Sequence, residues 1–218
     1  GYNNFMSSFE NIRSLGSFRS ARDDVIERKK VGKILEAGRN APSPGSVQSL
    51  EFIVVEDDHT LEDLSQVVGD HRVAEAPVSI LVLSDRDRME RKVGGWTERF
   101  CFAEGSIAVQ NMRLTAEELG ISSVWKSGFD EEAVSGQLKV PEEKLPVALV
   151  SFAYSDDSIG SEPSFGLNQV AFYDEYGHQV GSFFDSVEWK GLEVEKRIYS
   201  NESKGFLMKL RRWLDKVL

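Results

Sequence analysis

Few side chains in this 218-residue chain have chemistry of their own. The three histidines, His59, His71 and His178, stand far apart from one another and from the single cysteine, so no metal-ligand spacing is present. Cys101 sits in an apolar run, where a thiol packs more often than it attacks, because a reactive thiolate needs a positive and accessible setting. No glycine-rich loop carrying a lysine is found, and no GxGxxG follows a strand. Those absences point toward chemistry done by a bound cofactor. Three segments are suited to hold one: Arg19-Ser20-Ala21-Arg22, with its cations and hydroxyl, the short polar loop Pro42 to Gln48, and the turn Ser127-Gly128.

Holding such groups in place requires a core, and 40% hydrophobic with 28% charged residues is the composition of a globular domain with, at this length, room for one appendage. Thirty-six acids against 26 bases give a net charge of −10, which repels phosphate backbones and anionic lipid, so no nucleic-acid partner is expected. A single cysteine permits no internal disulfide and points to a reducing, cytoplasmic setting. Apolar stretches such as Pro77 to Leu83 fall well short of the ~20 residues a membrane span needs, and the first residues lack the basic head and apolar run of a signal peptide.

Periodicity predicts helices over 8–15, 25–40, 60–68, 96–119 and 131–138, and strands over 52–55, 77–83, 122–125 and 147–154. Helix 60–68 is expected to open on a threonine or aspartate cap. Helix 96–119 is apolar on more than one face, which suits the centre of a fold or of a dimer. The spacing is too irregular for a βαβ repeat, so the expected class is an α+β sandwich, a mixed and mostly antiparallel sheet with helices on both faces. After Tyr154 a Ser, Asp, Gly and Pro stretch runs to about Gly166. Beyond it Phe172, Tyr173, Tyr176, Phe183, Phe184 and Trp189 are too few for a core, and 206–218 is a cationic amphipathic helix, expected to dock on the protein or its dimer mate rather than on a membrane surface. The division expected is a core over 1–155 and an extension over 156–218.

Taken in order, the segments resemble the FMN-dependent nitroreductase family. Arg19-Ser20-Ala21-Arg22 is similar to its RSxR element. Ala41-Pro42-Ser43-Pro44-Gly45-Ser46-Val47-Gln48, followed by Phe52-Ile53-Val54-Val55, resembles its APSxGNxQ loop and strand. The run from Ala103 through Glu117-Glu118-Leu119-Gly120 to Val124-Trp125-Lys126-Ser127-Gly128-Phe129 is similar to its central helix and the turn beside the flavin, and Pro141 to Val147 to the entry of its last core strand. The likeness covers about residues 8 to 155. Each segment alone has a plainer reading, as a helix start, a turn or a loop; four in register favour the functional one.

The resemblance implies a three-layer α+β fold, an intertwined homodimer with FMN at the subunit interface, and hydride transfer from NAD(P)H through the flavin to a nitroaromatic, quinone or similar acceptor, with no catalytic side chain. It places Arg19, Ser20 and Arg22 at the phosphate, Pro42, Ser43, Pro44, Ser46 and Gln48 along ribityl and ring, and Ser127 and Gly128 near N5. Departures are Phe18 where the family has an arginine, with Arg13-Ser14 as an alternative register, Ser46 for the loop asparagine, Leu50 and Glu51 after Gln48, and Glu104 for an aspartate. Where the family has a cation pair near the C-terminus, Gly177 to Ser182 offers only His178. One missing phosphate cation weakens binding by about 1.5 to 3 kcal/mol. The rivals are a non-catalytic or weakly FMN-binding descendant of the fold and a specialised flavin enzyme such as a reductive dehalogenase.

Overall fold

In the computed structural model, which describes residues 8–160, 165 and 167–178, the chain runs α1 (Ser8–Ser14), β1 (Gly16–Phe18), α2 (Arg28–Arg39), β2 (Leu50–Val55), α3 (Asp58–Val68), α4 (Arg72–Glu75), β3 (Val78–Asp85), α5 (Arg86–Val93), α6 (Thr97–Glu118), β4 (Ser122–Lys126), α7 (Glu131–Leu138), β5 (Lys144–Ala153), β6 (Ser158–Gly160) and α8 (Leu167–Val170). Strands β2, β3, β5 and β4, in that order, form an antiparallel sheet, with Leu50 opposite Ser84, Asp85 opposite Lys144 and Lys126 opposite Leu149. β1 and β6 make a separate antiparallel ribbon.

The two-residue alternation of β3 creates the layers. Ile80 and Val82 pack with Ile34 of α2 and with Ala108, Val109 and Met112 of α6; Leu81 packs on the opposite face with Leu61 and Leu64 of α3 and Val134 of α7. Helices thus cover both faces of the sheet, the α+β sandwich expected. β3 and β5 are buried on both faces, which is why each reads as an almost unbroken apolar run. Their register slips between Val82 and Leu83, where Leu83 faces Pro146, a residue with no N–H to give to the ladder. α6 comes very close to β5 at Gly105: a Cβ added there would lie 2.6 Å from Val147 Cγ1, so only glycine permits this approach.

Several elements differ from expectation. α2 starts at Arg28 rather than Val25: Glu27, its N-cap, has extended backbone (φ −62°, ψ 134°), and Ile26 is buried ahead of the helix. The charged stretch after β3 forms α5, capped by Asp85 accepting from the Arg88 N–H, with Met89 as its buried side chain. The aspartate option holds for α3, where Asp57 accepts from the Thr60 N–H. α1 buries none of its side chains, and α6 leaves Phe102 and Ile107 exposed.

The chain divides into two compact units, 1–161 and 162–218. Within the second, the Tyr173 N–H donates to the His178 carbonyl, and the rings of Phe172 and Tyr176 lie 4.6 Å apart. Phe183, Phe184, Trp189 and the helix expected over 206–218 lie outside the described residues. Among the described residues no helix is long and apolar enough to cross a membrane, and no three metal-ligating side chains cluster.

Candidate functional site

The segment Arg19 to Arg22 leaves β1 and is tied to the chain that follows β5. The Arg19 N–H donates to the Asp157 carbonyl at 2.9 Å and the Arg22 N–H to the Tyr154 carbonyl at 2.7 Å, while the Ser20 carbonyl accepts from the Ser155 hydroxyl. Both guanidinium groups stand more than half exposed in ion pairs, Arg22 with Asp24 at 2.5 Å and Asp156 at 3.3 Å, Arg19 with Asp157 at 3.9 Å. Asp24 foremost, then Asp156, holds Arg22 above its ordinary range. Exposed pairs of this kind contribute little, so an incoming anion can displace them.

Phe18, at the position of the family's arginine, is fully buried with Ala76, Val124 and Ala153, so its side chain serves the core. Its carbonyl accepts from Arg72 Nη1. Arg72 also grips Asp70, Nε to Oδ1 at 2.9 Å and Nη2 to Oδ2 at 2.6 Å, and Lys126 Nζ lies 3.3 Å from the same carboxylate. The Arg72 hydrogen bonds hold this buried Asp70 far below the usual carboxylate range. Asp70, Arg72 and Lys126 escaped sequence reasoning because more than 50 residues separate Lys126 from the other two. The one available signal was the lysine directly before Ser127-Gly128.

Through this cluster the structure brings Arg19 to Arg22 towards the turn Ser127-Gly128. Gly128 has φ +72°, a conformation glycine adopts without strain, and Ser127 lines a cavity with Trp125 and Arg113.

The loop Pro42 to Gln48 is elsewhere. Gly45, Ser46 and Gln48 have φ of +59°, +56° and +53°, and the two non-glycine residues carry real backbone strain there. The loop is held from within and from below. Ser43 Oγ accepts from the Gln48 N–H at 2.7 Å, Arg88 Nη1 donates to the Gln48 carbonyl at 2.7 Å, and the buried Ser49 hydroxyl bonds both Ser84 and Glu104. Glu104, the family's aspartate position, therefore anchors the exit of this loop. Beside it Lys144 bridges Asp85 and Glu51 at 2.8 Å each, and Asp85, raised by burial, is brought net below its ordinary range by Lys144 and the Arg88 N–H.

Pro42, Ser43, Pro44, Ser46 and Gln48 thus sit at the end of the sheet where β5 begins, and Arg19, Ser20 and Arg22 at the end where it finishes. Ten strand residues at about 3.3 Å each put about 30 Å between them on one chain. Cys101 is buried, which pushes its thiol up and away from reactivity. His178, the remaining candidate cation, belongs to the second unit and is exposed.

The sequence matches the family model described as Nitroreductase family over residues 12–75 and 65–154. A protein of Methanothermobacter thermautotrophicus named as an NADH dehydrogenase/NAD(P)H nitroreductase is 29% identical over 170 residues, covering 76% of this chain and 86% of that one. Its namesake from Archaeoglobus fulgidus is 31% identical over 146 residues, covering 65% and 81%. Among solved structures, an FMN-dependent nitroreductase from Clostridium difficile R20291 is 26% identical with a TM-score of 0.66, covering 76% of this chain and 98% of that one.

Proposed function

The chain belongs to the nitroreductase family, and from that premise we propose that it is an NAD(P)H-dependent FMN oxidoreductase acting as a homodimer in a reducing cytoplasm. The observation that carries this reading is the link from the Phe18 carbonyl, directly before Arg19, through Arg72 and Asp70 to Lys126, directly before Ser127-Gly128. The donor set suits FMN: guanidinium groups and a hydroxyl for a dianionic phosphate, short polar backbone for a ribityl chain, and a glycine turn that admits a flat ring. Arg19, Ser20 and Arg22 would bind the phosphate. Pro42, Ser43, Pro44, Ser46 and Gln48 would lie along ribityl and ring, and Ser127 and Gly128 would present backbone N–H groups to the ring edge. When bound, FMN supplies two-electron chemistry, accepting hydride from NAD(P)H and passing the electrons to a nitroaromatic, quinone or similar small acceptor.

In this reading the protein's residues bind, orient and stabilise charge, and none acts as nucleophile. The separation of about 30 Å between the phosphate segment and the strained loop supports a pocket closed by the loop of a second copy. Exposed Phe102 and Ile107 on α6 supply apolar surface for that pairing. The core over 1–155 would carry the flavin, and the extension from 156 onward would dock on the core or on the partner.

A second reading rests on one observation: Asp24, Asp156 and Asp157 already occupy Arg22 and Arg19. A descendant of the fold that no longer retains FMN would look the same. The visible spectrum of the purified protein separates them. Flavin bands, present at once or after incubation with FMN and gel filtration, support the enzyme; a protein left colourless by both supports the second reading.

A further inference from the structure

Glu104 is 1% exposed, and among the described residues no cation lies within ion-pair distance of it. A carboxylate buried without a cation is costly, so its retention calls for a use of the charge. The Ser49 hydroxyl donates to Glu104 Oε2 at 2.5 Å. That bond spends the only hydrogen of the Ser49 hydroxyl, so in the 2.7 Å contact between the two serines Ser84 is the donor. The chain of hydrogen bonds therefore runs one way, from β3 through the residue after Gln48 to α6, and ends on a negative charge. A hydrogen bond to a charged acceptor is roughly twice as strong as a neutral one.

Both ends of the Ser49–Glu104 bond stand on rigid ground. The residue after Glu104 is Gly105, where α6 comes very close to β5. The Ser49 carbonyl in turn accepts from the Asp85 N–H at 2.8 Å. Directly before Ser49 the chain holds φ of +56° at Ser46 and +53° at Gln48, backbone that persists only where its surroundings fix it. Arg88 holds the Gln48 carbonyl, and Glu104 holds the Ser49 hydroxyl. We infer that Glu104 is a positioning residue: its charge, acting through Ser49, keeps Pro42 to Gln48 in the shape proposed to lie along ribityl and ring. The effect on the loop stands by itself, while the consequence for FMN rests on the flavin reading.

Glu104→Gln keeps size and reach and removes the charge; Ser49→Ala breaks the same bond from the side of the loop. Hydrogen exchange of the segment 42–50, read by mass spectrometry on FMN-free protein, should quicken about five- to tenfold in each variant, with exchange elsewhere in the core unchanged. The double variant should add nothing further, since both changes remove one bond. The melting temperature of Glu104→Gln should stay level or rise, because a buried charge without a cation is gone. FMN retention on gel filtration should weaken by the same factor as the loop loosens. Unchanged exchange, exchange that quickens throughout the core with a falling melting temperature, additive effects in the double variant, or full flavin retention by a loosened loop would each overturn the proposal. Should one variant fail to fold, the other decides; failure of both assigns Glu104 to the core and sinks the proposal. A colourless wild type whose loop still loosens in Glu104→Gln sinks the flavin reading alone, and a yellow protein whose loop and flavin both ignore the substitution sinks this one alone.

Discussion

The two ends of the central sheet are built on opposite principles. At the end where β5 finishes, Arg19 and Arg22 sit in solvent, paired with acids that are themselves more than 40% exposed. At the end where β5 begins, Lys144 and Asp85 pair at 14% and 10% exposure, and Ser49, Ser84 and Glu104 form a buried hydrogen-bonded chain beneath a strained loop. The first end can exchange partners at little expense, as ligand capture requires. The second resists exchange, and its loop keeps positive φ at Ser46 and Gln48 because the surroundings hold it. Exposure of an ion pair thus separates the groups proposed to take a ligand from those that hold a shape.

The largest expected effect lies at the exchanging end. Arg22→Ala should weaken FMN retention by roughly ten- to a hundredfold, read by flavin released on gel filtration, with no more change in melting temperature than a surface substitution makes. Unchanged occupancy would remove Arg22 from the site. Asp24→Ala sharpens the same contrast in reverse: removing the foremost of the two acids on Arg22 should tighten FMN by a few-fold.

At the rigid end Asp85→Ala removes the α5 cap and leaves Lys144 with Glu51 alone. It should destabilise by about 2 to 3 kcal/mol, lowering Tm by roughly 5 to 10 °C in a thermal melt. A shift no larger than that of Arg22→Ala would erase the distinction.

Acid gives a third handle. Asp70 and Asp85 titrate below their unfolded values, so their stabilisation is fully present above pH about 4 and is lost as pH falls through the folded values. Tm should stay level from pH 7 to about 5 and drop below about 4, more steeply in the wild type than in Asp70→Asn. The smallest effect is Ser46→Gly, where relief of positive φ should stabilise by up to about 1 kcal/mol in a denaturant melt.

The layering was legible because burial on both faces writes itself as runs such as Val78 to Leu83, and because α6 carries a long stripe whose buried side includes Ala108, Met112 and Ala116. β1 and β6 were not legible. Three residues show no period, and their pairing joins Gly16 to Gly160 across most of the chain. α5 was hidden by charge, since one buried Met89 makes no stripe. At the candidate site the local segments could be picked out by residue type, but the distance between Arg22 and Gln48 could not, being set by the length of β5 between them. Asp70 and Arg72 were invisible as neighbours of Phe18 and Lys126 for the same reason: tertiary pairing leaves no trace in sequence spacing.

Gly105 and Val147 pack so closely that their sizes cannot be chosen independently. Among descendants of this chain, a bulkier residue at 105 should arise together with a slimmer one at 147, and engineered exchange of both should recover what either change alone forfeits. That dependency marks where the central helix is keyed to the sheet, and so where drift in one layer must be answered in the next.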